Sequence, residues 1–128
     1  MATRSQTSNY VQWSAANTAS VVTGGGLVSS DDYSWSADMV ASEITVKGDS
    51  AGAASDDILD VYYSRKKNSE YDDQAHFVCS VDCSSGSGIK TMNFGSAFPA
   101  DVGRFSAECN GTNNITVSVY VTEDKVSL

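Results

Sequence analysis

The sequence has little leucine, which favours helices, and little histidine, which often serves in active sites: 3 leucines and 1 histidine occur among its 128 residues. It is rich instead in residues that favour strands and turns, with 14 valines, 21 serines, 9 threonines and 10 glycines. This composition argues against a helical bundle. The length corresponds to one domain, long enough to bury a core without disulfide or metal staples.

Basic residues are also scarce, since 8 lysines and arginines stand against 16 acidic residues for a net charge of −8. An excess of negative charge opposes the phosphate neutralisation on which nucleic-acid affinity depends. No apolar run is long enough for a membrane helix, and residues 1–10 contain no segment typical of a signal peptide. We therefore expect no nucleic acid and no membrane among the partners, and synthesis and retention in a cytoplasm.

The three cysteines, Cys79, Cys83 and Cys109, are odd in number and lack the spacing of a zinc site. A strand over residues 77–81 would place Cys79 on the face that also carries two apolar side chains, as a small core residue. We expect free thiols. A disulfide from Cys109 to Cys79 or to Cys83 is the open alternative.

The sequence contains few candidate catalytic residues. The lone histidine, His76, is three residues from Cys79, and in a strand an odd offset points two side chains to opposite faces. There is no Gly-x-Ser-x-Gly nucleophile elbow. We expect no catalytic residue, no cofactor and no enzymatic activity.

Pairs of adjacent aspartates recur at residues 31–32, 56–57 and 72–73. Clustered carboxylates on loops can bind calcium, but none of these pairs has the spacing of an EF-hand loop. Adjacent side chains usually point apart, and such pairs commonly close turns. We therefore expect no metal site, with a calcium loop as the alternative.

Alternation of apolar and polar residues predicts strands most clearly over residues 57–64 and 115–123. A strand that starts near Met39 contains one irregular step, typical of a β-bulge, and leads to a turn at residues 47–50. Other strands are predicted at residues 9–14, 19–23, 76–82, 89–94 and 104–109, with a loop at residues 95–100. The predicted fold is an all-β, antiparallel β-sandwich or jelly-roll-like single domain of seven to eight strands.

Residues 1–36 are low in charge and weakly periodic, so we interpret them as an N-terminal arm or edge-strand segment beside a sandwich over residues 37–128. Four aromatic residues fall in this segment: Tyr10, Trp13, Tyr33 and Trp35. Aromatic side chains on an arm are good interface anchors, which makes these four the candidate interface, with core filling as the alternative.

Acidity is unevenly spread along the chain. Residues 29–73 hold 11 acidic and 4 basic side chains, a charge of −7, which leaves 5 acidic and 4 basic, or −1, for the rest. This distribution suggests that one end or face of the sandwich is hydrated and acidic, while the nearly neutral remainder docks on a partner.

The segments DDILDVYYS at residues 56–64, EYDDQAHFV at 70–78, RF at 104–105 and ITVSV at 115–119 resemble a family of small structural proteins of tailed bacteriophages. The resemblance covers about half of the chain and its motifs are structural. The three cysteines and the basic run at residues 65–67 are not part of the family pattern.

The resemblance implies a capsid decoration or cement protein that binds the outer surface of the major capsid shell and stabilises it. Its partners would be the major capsid protein and neighbouring copies of itself, as a homo-oligomer on the shell. It would act on the virion, at the capsid surface, after synthesis in the host bacterial cytoplasm. The alternatives are another virion component, in the tail, neck or head fibre, or a carbohydrate-binding β-sandwich module.

Overall fold

The computed structural model describes residues 3–94 and 102–127, and within them the regular structure consists of strands only. No helix in these residues could span a membrane. The strands in chain order are β1 (Thr3–Tyr10), β2 (Ala19–Val21), β3 (Val28–Ser29), β4 (Tyr33–Ser34), β5 (Met39–Ser50), β6 (Ile58–Lys67), β7 (Glu70–Tyr71), β8 (His76–Asp82), β9 (Ser87–Asn93), β10 (Val102–Cys109) and β11 (Ile115–Ser127).

The strands form two antiparallel sheets, which we name after a central strand of each. The β11 sheet has the order β1-β11-β5-β9, and β2 also pairs with β11. The β10 sheet has the order β3-β10-β6-β7, with β4 also on β10 and β8 also on β6. The pairs β1 and β2, β3 and β4, and β7 and β8 each share one edge of a longer strand. The eleven strands therefore fill eight positions, in the order of a jelly roll, and the predicted all-β sandwich is confirmed.

The core lies between the two sheets and depends most on β11. Ile115, Val117, Val119 and Val121 alternate along this strand and are all fully buried. Their hydroxyl and aromatic neighbours in sequence point away from the core, because side chains of a strand alternate between its faces. Strand β6 contributes the facing apolar row of the β10 sheet.

An aromatic cluster fills the end of the core at which β6 ends. The rings of Trp35 and Phe94 stack at 5.6 Å, while Tyr63 contacts Phe94 and Phe105 at centroid distances of 5.1 and 5.0 Å. The indole Nε1 of Trp35 donates a hydrogen bond of 2.7 Å to the hydroxyl of Tyr63. This bond satisfies a polar group that burial would otherwise leave unpaired.

The first 34 residues supply edge strands to both sheets. The strand predicted at residues 9–14 actually spans Thr3–Tyr10, while the one predicted at residues 19–23 is observed as Ala19–Val21. The sequence pattern does not predict the true bounds of β1, because all eight of its residues are exposed and it therefore shows no apolar alternation.

Two other boundaries differ from expectation. The turn predicted at residues 47–50 belongs to β5, which pairs with β11 and β9 through these residues. Strand β5 does contain an irregularity, but it lies ahead of the odd step from Ala41 to Ile44 in the apolar pattern: a register shift leaves Val40 unpaired between Met39 and Ala41. The predicted loop at residues 95–100 lies outside the described residues.

A buried carboxylate ties together the loops at the opposite end of the sandwich. Asp57 is fully buried and accepts hydrogen bonds from the Ser50 hydroxyl at 2.6 Å and the Ala54 amide at 2.9 Å. From the turn between β10 and β11 it accepts bonds from the amides of Thr112 and Asn113, and from the Asn113 side chain. These donors hold the pKa of Asp57 far below its ordinary value.

We predict that the hydrogen bonds to Asp57 make the stability of the protein depend on pH in the acid range. A depressed carboxyl pKa contributes stability that is fully present above the ordinary value of 3.8 and is lost as pH falls below it. Asp57→Asn should therefore lower the melting temperature at pH 7, and the gap to the unmodified protein should narrow progressively below about pH 4. Thermal unfolding followed by circular dichroism measures both effects. The exposed Asp73→Asn is the matched control, and a gap independent of pH would contradict the prediction.

The packing of the core predicts that two phenylalanines differ in their contribution to stability. Phe105 is fully buried, so Phe105→Ala should reduce the free energy of unfolding by about 3–5 kcal/mol. Phe77 is 57% exposed, and Phe77→Ala should cost only about 1 kcal/mol, the order of its edge-to-face contact with Tyr62. Urea unfolding measures both values, and equal losses would contradict the burial of Phe105.

Candidate functional site

The outer face of the β11 sheet carries a shallow depression of about 400 Å³. Register places side chains from four neighbouring strands on this face, because residues opposite one another in a sheet point the same way. The depression is lined by Tyr10, Thr45, Lys47, Ile89, Ser118 and Tyr120. We refer to these six residues as the docking patch.

The docking patch combines exposed apolar surface with hydroxyl groups. The rings of Tyr10 and Tyr120 pack edge to face at 5.0 Å, and Ile89 is 68% exposed. The Thr45 and Thr91 hydroxyls lie 3.0 Å apart in a hydrogen bond across β5 and β9. An exposed isoleucine and a pair of tyrosines on one face form the kind of surface that gains free energy when a partner covers it.

A smaller, more polar depression of about 120 Å³ lies on the same sheet. It is lined by Gln6, Ala41, Ser42, Glu43, Asn93, Thr122 and Asp124. On its rim the Ser8 and Thr122 hydroxyls are 3.1 Å apart. The outer face of the β11 sheet therefore combines exposed apolar side chains with polar groups, a mixture found on protein-binding surfaces.

The outer face of the β10 sheet has a different character, because its charges bind one another. Asp32 accepts hydrogen bonds from the Lys66 ammonium at 2.8 Å and from the Tyr71 hydroxyl, and these bonds lower the pKa of Asp32. The guanidinium of Arg104 stacks 3.6 Å above the Tyr71 ring as a cation–π contact. This cluster stabilises the sheet internally.

The four predicted interface aromatics occupy different environments. Trp13 and Trp35 are only 3% and 7% exposed, so both indoles lie in the core, as the alternative interpretation expected. Tyr33 is partly buried and donates its hydroxyl to Glu123 at 2.6 Å, and burial raises its pKa. Tyr10 is half-exposed on the docking patch. The interface role of the four stays a prediction, but the two tryptophans do not form a surface platform for a glycan.

The aspartate pairs make structural hydrogen bonds. Asp31 accepts from the backbone amides of Ser14 and Ala15, and Asp72 accepts from the backbone and side chain of Arg65. No group of three or more ligating side chains occurs within residues 3–94 and 102–127. Most of these bonds tie separate loops and strands to one another, as in the contacts of Asp31 with residues 14–15 and of Asp56 with Thr112.

His76 lies near a carboxylate, with 3.2 Å between its Nε2 atom and Asp72 Oδ2. The three cysteines are buried and free, which confirms the expectation of unpaired thiols. Burial raises the pKa of each of Cys79, Cys83 and Cys109, so these thiols are protected from forming reactive thiolates.

Within the described residues, the acidic side chains of segment 29–73 do not gather on one face as the sequence suggested. The acidic residues of segment 29–73 are distributed over both sheets and both ends, because this segment crosses the sandwich repeatedly. Glu43 points outward on the β11 sheet and Asp60 on the β10 sheet, while Asp32 and Asp56 lie toward opposite ends. Charge density along the chain is thus not a guide to a charged surface in this fold.

Sequence reasoning missed most of the docking patch. Tyr120 and Ser118 alternate with the buried valines of β11, so the sequence pattern predicts that their side chains point outward. Ile89 and Thr45 could not be placed beside them, since that requires the pairing of β5 with β9 and β11.

No family model matches the chain, and no curated protein matches it. Among solved structures 65 chains match, one of them from the acidic stable capsid structure of Helicobacter pylori bacteriophage KHP30. That match covers 100% of this chain and 99% of the other, with a TM-score of 0.55 and 11% sequence identity. At this identity the likeness shows the fold alone. The chain thus has a fold that also occurs in a bacteriophage capsid.

Other solved structures are less similar to this chain, with TM-scores below 0.5. A chain of the Broad Bean Stain Virus structure has a TM-score of 0.42 and 13% identity over 98% of this chain and 89% of its own. A family two carbohydrate esterase from Cellvibrio japonicus has a TM-score of 0.41 and 13% identity over 100% of this chain and 36% of its own.

Burial of both indoles predicts the fluorescence of the protein. Because Trp13 and Trp35 are shielded, iodide should quench native emission only weakly, and unfolding should make quenching efficient and shift emission to longer wavelength. Stern–Volmer titrations with and without denaturant measure this. Strong quenching of the native protein would show that at least one indole is accessible.

Proposed function

We propose that the chain is a non-catalytic structural protein of a bacteriophage virion, most specifically a decoration or cement protein on the outside of the major capsid shell. The observation that carries this proposal is the match to a chain of a phage capsid structure across the whole of both chains. Coverage of 99% of the other chain means that the matched chain is itself a small stand-alone sandwich. The resemblance of four sequence segments to small phage structural proteins supports the same role.

The physical task of such a protein is reinforcement by many copies. Each copy bridges neighbouring shell subunits through a modest interface, and the repeated interfaces together resist the pressure of packaged DNA. A rigid sandwich suits this task, and the 20 buried apolar residues counted among those the structure describes form one continuous, close-packed core.

The docking patch is the surface we assign to shell binding. It offers exposed apolar area at its two margins, Ile89 on β9 and Tyr10 on β1, with hydroxyl groups between them, whereas charged groups on the β10 sheet are engaged with one another. Apolar side chains interleaved with hydroxyl groups supply affinity without requiring a shell of opposite charge.

Two exposed isoleucines, one on each outer face, provide a matched test. Ile89 is 68% exposed on the β11 sheet and Ile58 is 43% exposed on the β10 sheet. Ile89→Glu should weaken shell binding at least about tenfold, because it replaces apolar contact area with a carboxylate that must lose its water in the interface even though Lys47 lies opposite it, whereas Ile58→Glu should leave binding unchanged. Co-sedimentation with shells of the parent phage measures both affinities, and unaltered melting temperatures confirm that both variants fold.

Loss of binding in Ile58→Glu alone would assign docking to the β10 sheet instead. No binding of the unmodified protein to shells would overturn the decoration role. Copy number separates the remaining virion roles: quantitative mass spectrometry of particles should find hundreds of copies for a decoration protein, and a dozen or fewer for a tail or neck component.

Glycan binding is the second candidate function, favoured by the paired tyrosines and hydroxyls of the docking patch. Retention on an immobilised polysaccharide that is lost in Tyr10→Ala would support it. Absence of retention together with shell binding would leave the structural role.

A further inference from the structure

Within the described residues, strand β1 pairs with one strand only, β11, and is exposed along its whole length. Its eight residues pair with β11 in continuous register from Thr3 opposite Ser127 to Tyr10 opposite Tyr120. Every one of these residues is exposed, including those on the side that faces the second sheet. Burial in the core therefore adds little to the stability of β1, and its other edge faces outward.

The register fixes which backbone groups point to that outer edge. The Val11 amide donates to the Val119 carbonyl at 2.8 Å, so residues at odd positions of β1 form the hydrogen-bonded pairs with β11. The amide and carbonyl groups of Arg4, Gln6, Ser8 and Tyr10 consequently point away from β11. The Tyr10 carbonyl accepts a long bond of 3.4 Å from the Gln12 side chain.

The other edge strands carry features that discourage pairing with another chain. Strands β3, β4 and β7 have two residues each, and β8 contains a register shift. Strand β9 carries Lys90 on its core-facing side, opposite Val46. Short length, bulges and inward-pointing charges are the usual protections of a sheet edge. Strand β1 has regular register, no proline and no acidic residue.

We propose that β1 pairs with β1 of a second copy of this chain, antiparallel about a two-fold axis at Thr7, to give a dimer with one continuous sheet that is eight strand positions wide. In this register Gln6 lies opposite Ser8 of the other copy, and Arg4 lies opposite Tyr10. All four outward-pointing residues then form hydrogen-bonded pairs, and the guanidinium of Arg4 can stack on a tyrosine ring.

Charge and symmetry favour a second copy as the occupant. Two copies of a chain with a net charge of −8 repel each other overall. The β1 strands add no repulsion, because Arg4 is the one charged residue of β1 and it meets no like charge across the axis. Isologous pairing of one strand with itself is the simplest way to close a homo-oligomer. The inference is independent of shell binding, because purified protein alone should dimerise.

The first test removes an edge-facing amide and leaves the β1–β11 bonds in place. Gln6→Pro eliminates an N–H that points outward, whereas Gln6→Thr keeps it and favours a strand. Light scattering after size exclusion should give about 27 kDa for the unmodified protein and for Gln6→Thr, twice the chain mass of 13.5 kDa. Gln6→Pro should elute as a monomer, with the dimer at least about tenfold weaker.

The second test reports the register itself in the otherwise intact chain. Across the axis the two Thr7 Cα atoms form a non-hydrogen-bonded pair about 4.5 Å apart, within disulfide range, so Thr7→Cys should cross-link on mild oxidation. Ser5→Cys lies on the same face, but its two copies would be about 13 Å apart and should not cross-link. The native thiols are buried and give little background.

A monomeric unmodified protein at the highest soluble concentration would overturn the proposal. So would a dimer that survives in Gln6→Pro with an unchanged affinity, since another surface would then hold it. If Gln6→Pro fails to fold, the cross-linking contrast decides: Thr7→Cys dimers with monomeric Ser5→Cys support the register, and the reverse pattern refutes it.

Discussion

The structure depends on the position of β11, which is hydrogen-bonded along both edges while one of its faces forms the centre of the core. Its thirteen residues pair with β5 on one side and with β1 and β2 on the other. A slip of one residue would turn Val117, Val119 and Val121 outward and bring Tyr120 into the core. The same register that buries the valines therefore also sets the composition of the outer face.

Alternation along the chain predicted the interior of the fold well. Strands β6, β8, β10 and β11 were found near their observed positions because each buries one face, and burial is what an alternating pattern records. Strand β1 lacks that pattern since neither face is buried. Its existence follows from backbone pairing with β11, which is a property of the folded sheet and leaves no apolar signature in the sequence.

The candidate site was harder to predict than the fold. Trp13 and Trp35 lie in a weakly periodic segment, where nothing local distinguishes a core residue from a surface anchor; their burial depends on which strands close over them. The docking patch is assembled from β1, β5, β9 and β11, which are distant in sequence. Long-range pairing also explains why an acidic stretch of chain does not become an acidic face.

The antiparallel pairing of β1 with β11 has a consequence for protein engineering. Thr3 lies directly opposite Ser127 in a hydrogen-bonded register, which places their Cα atoms about 5.5 Å apart. A linker of a few residues could therefore join these two positions, and new ends could be opened in an exposed loop. Peptides attached at either position would emerge side by side from one end of the domain, at the far end from the loops that Asp57 ties together.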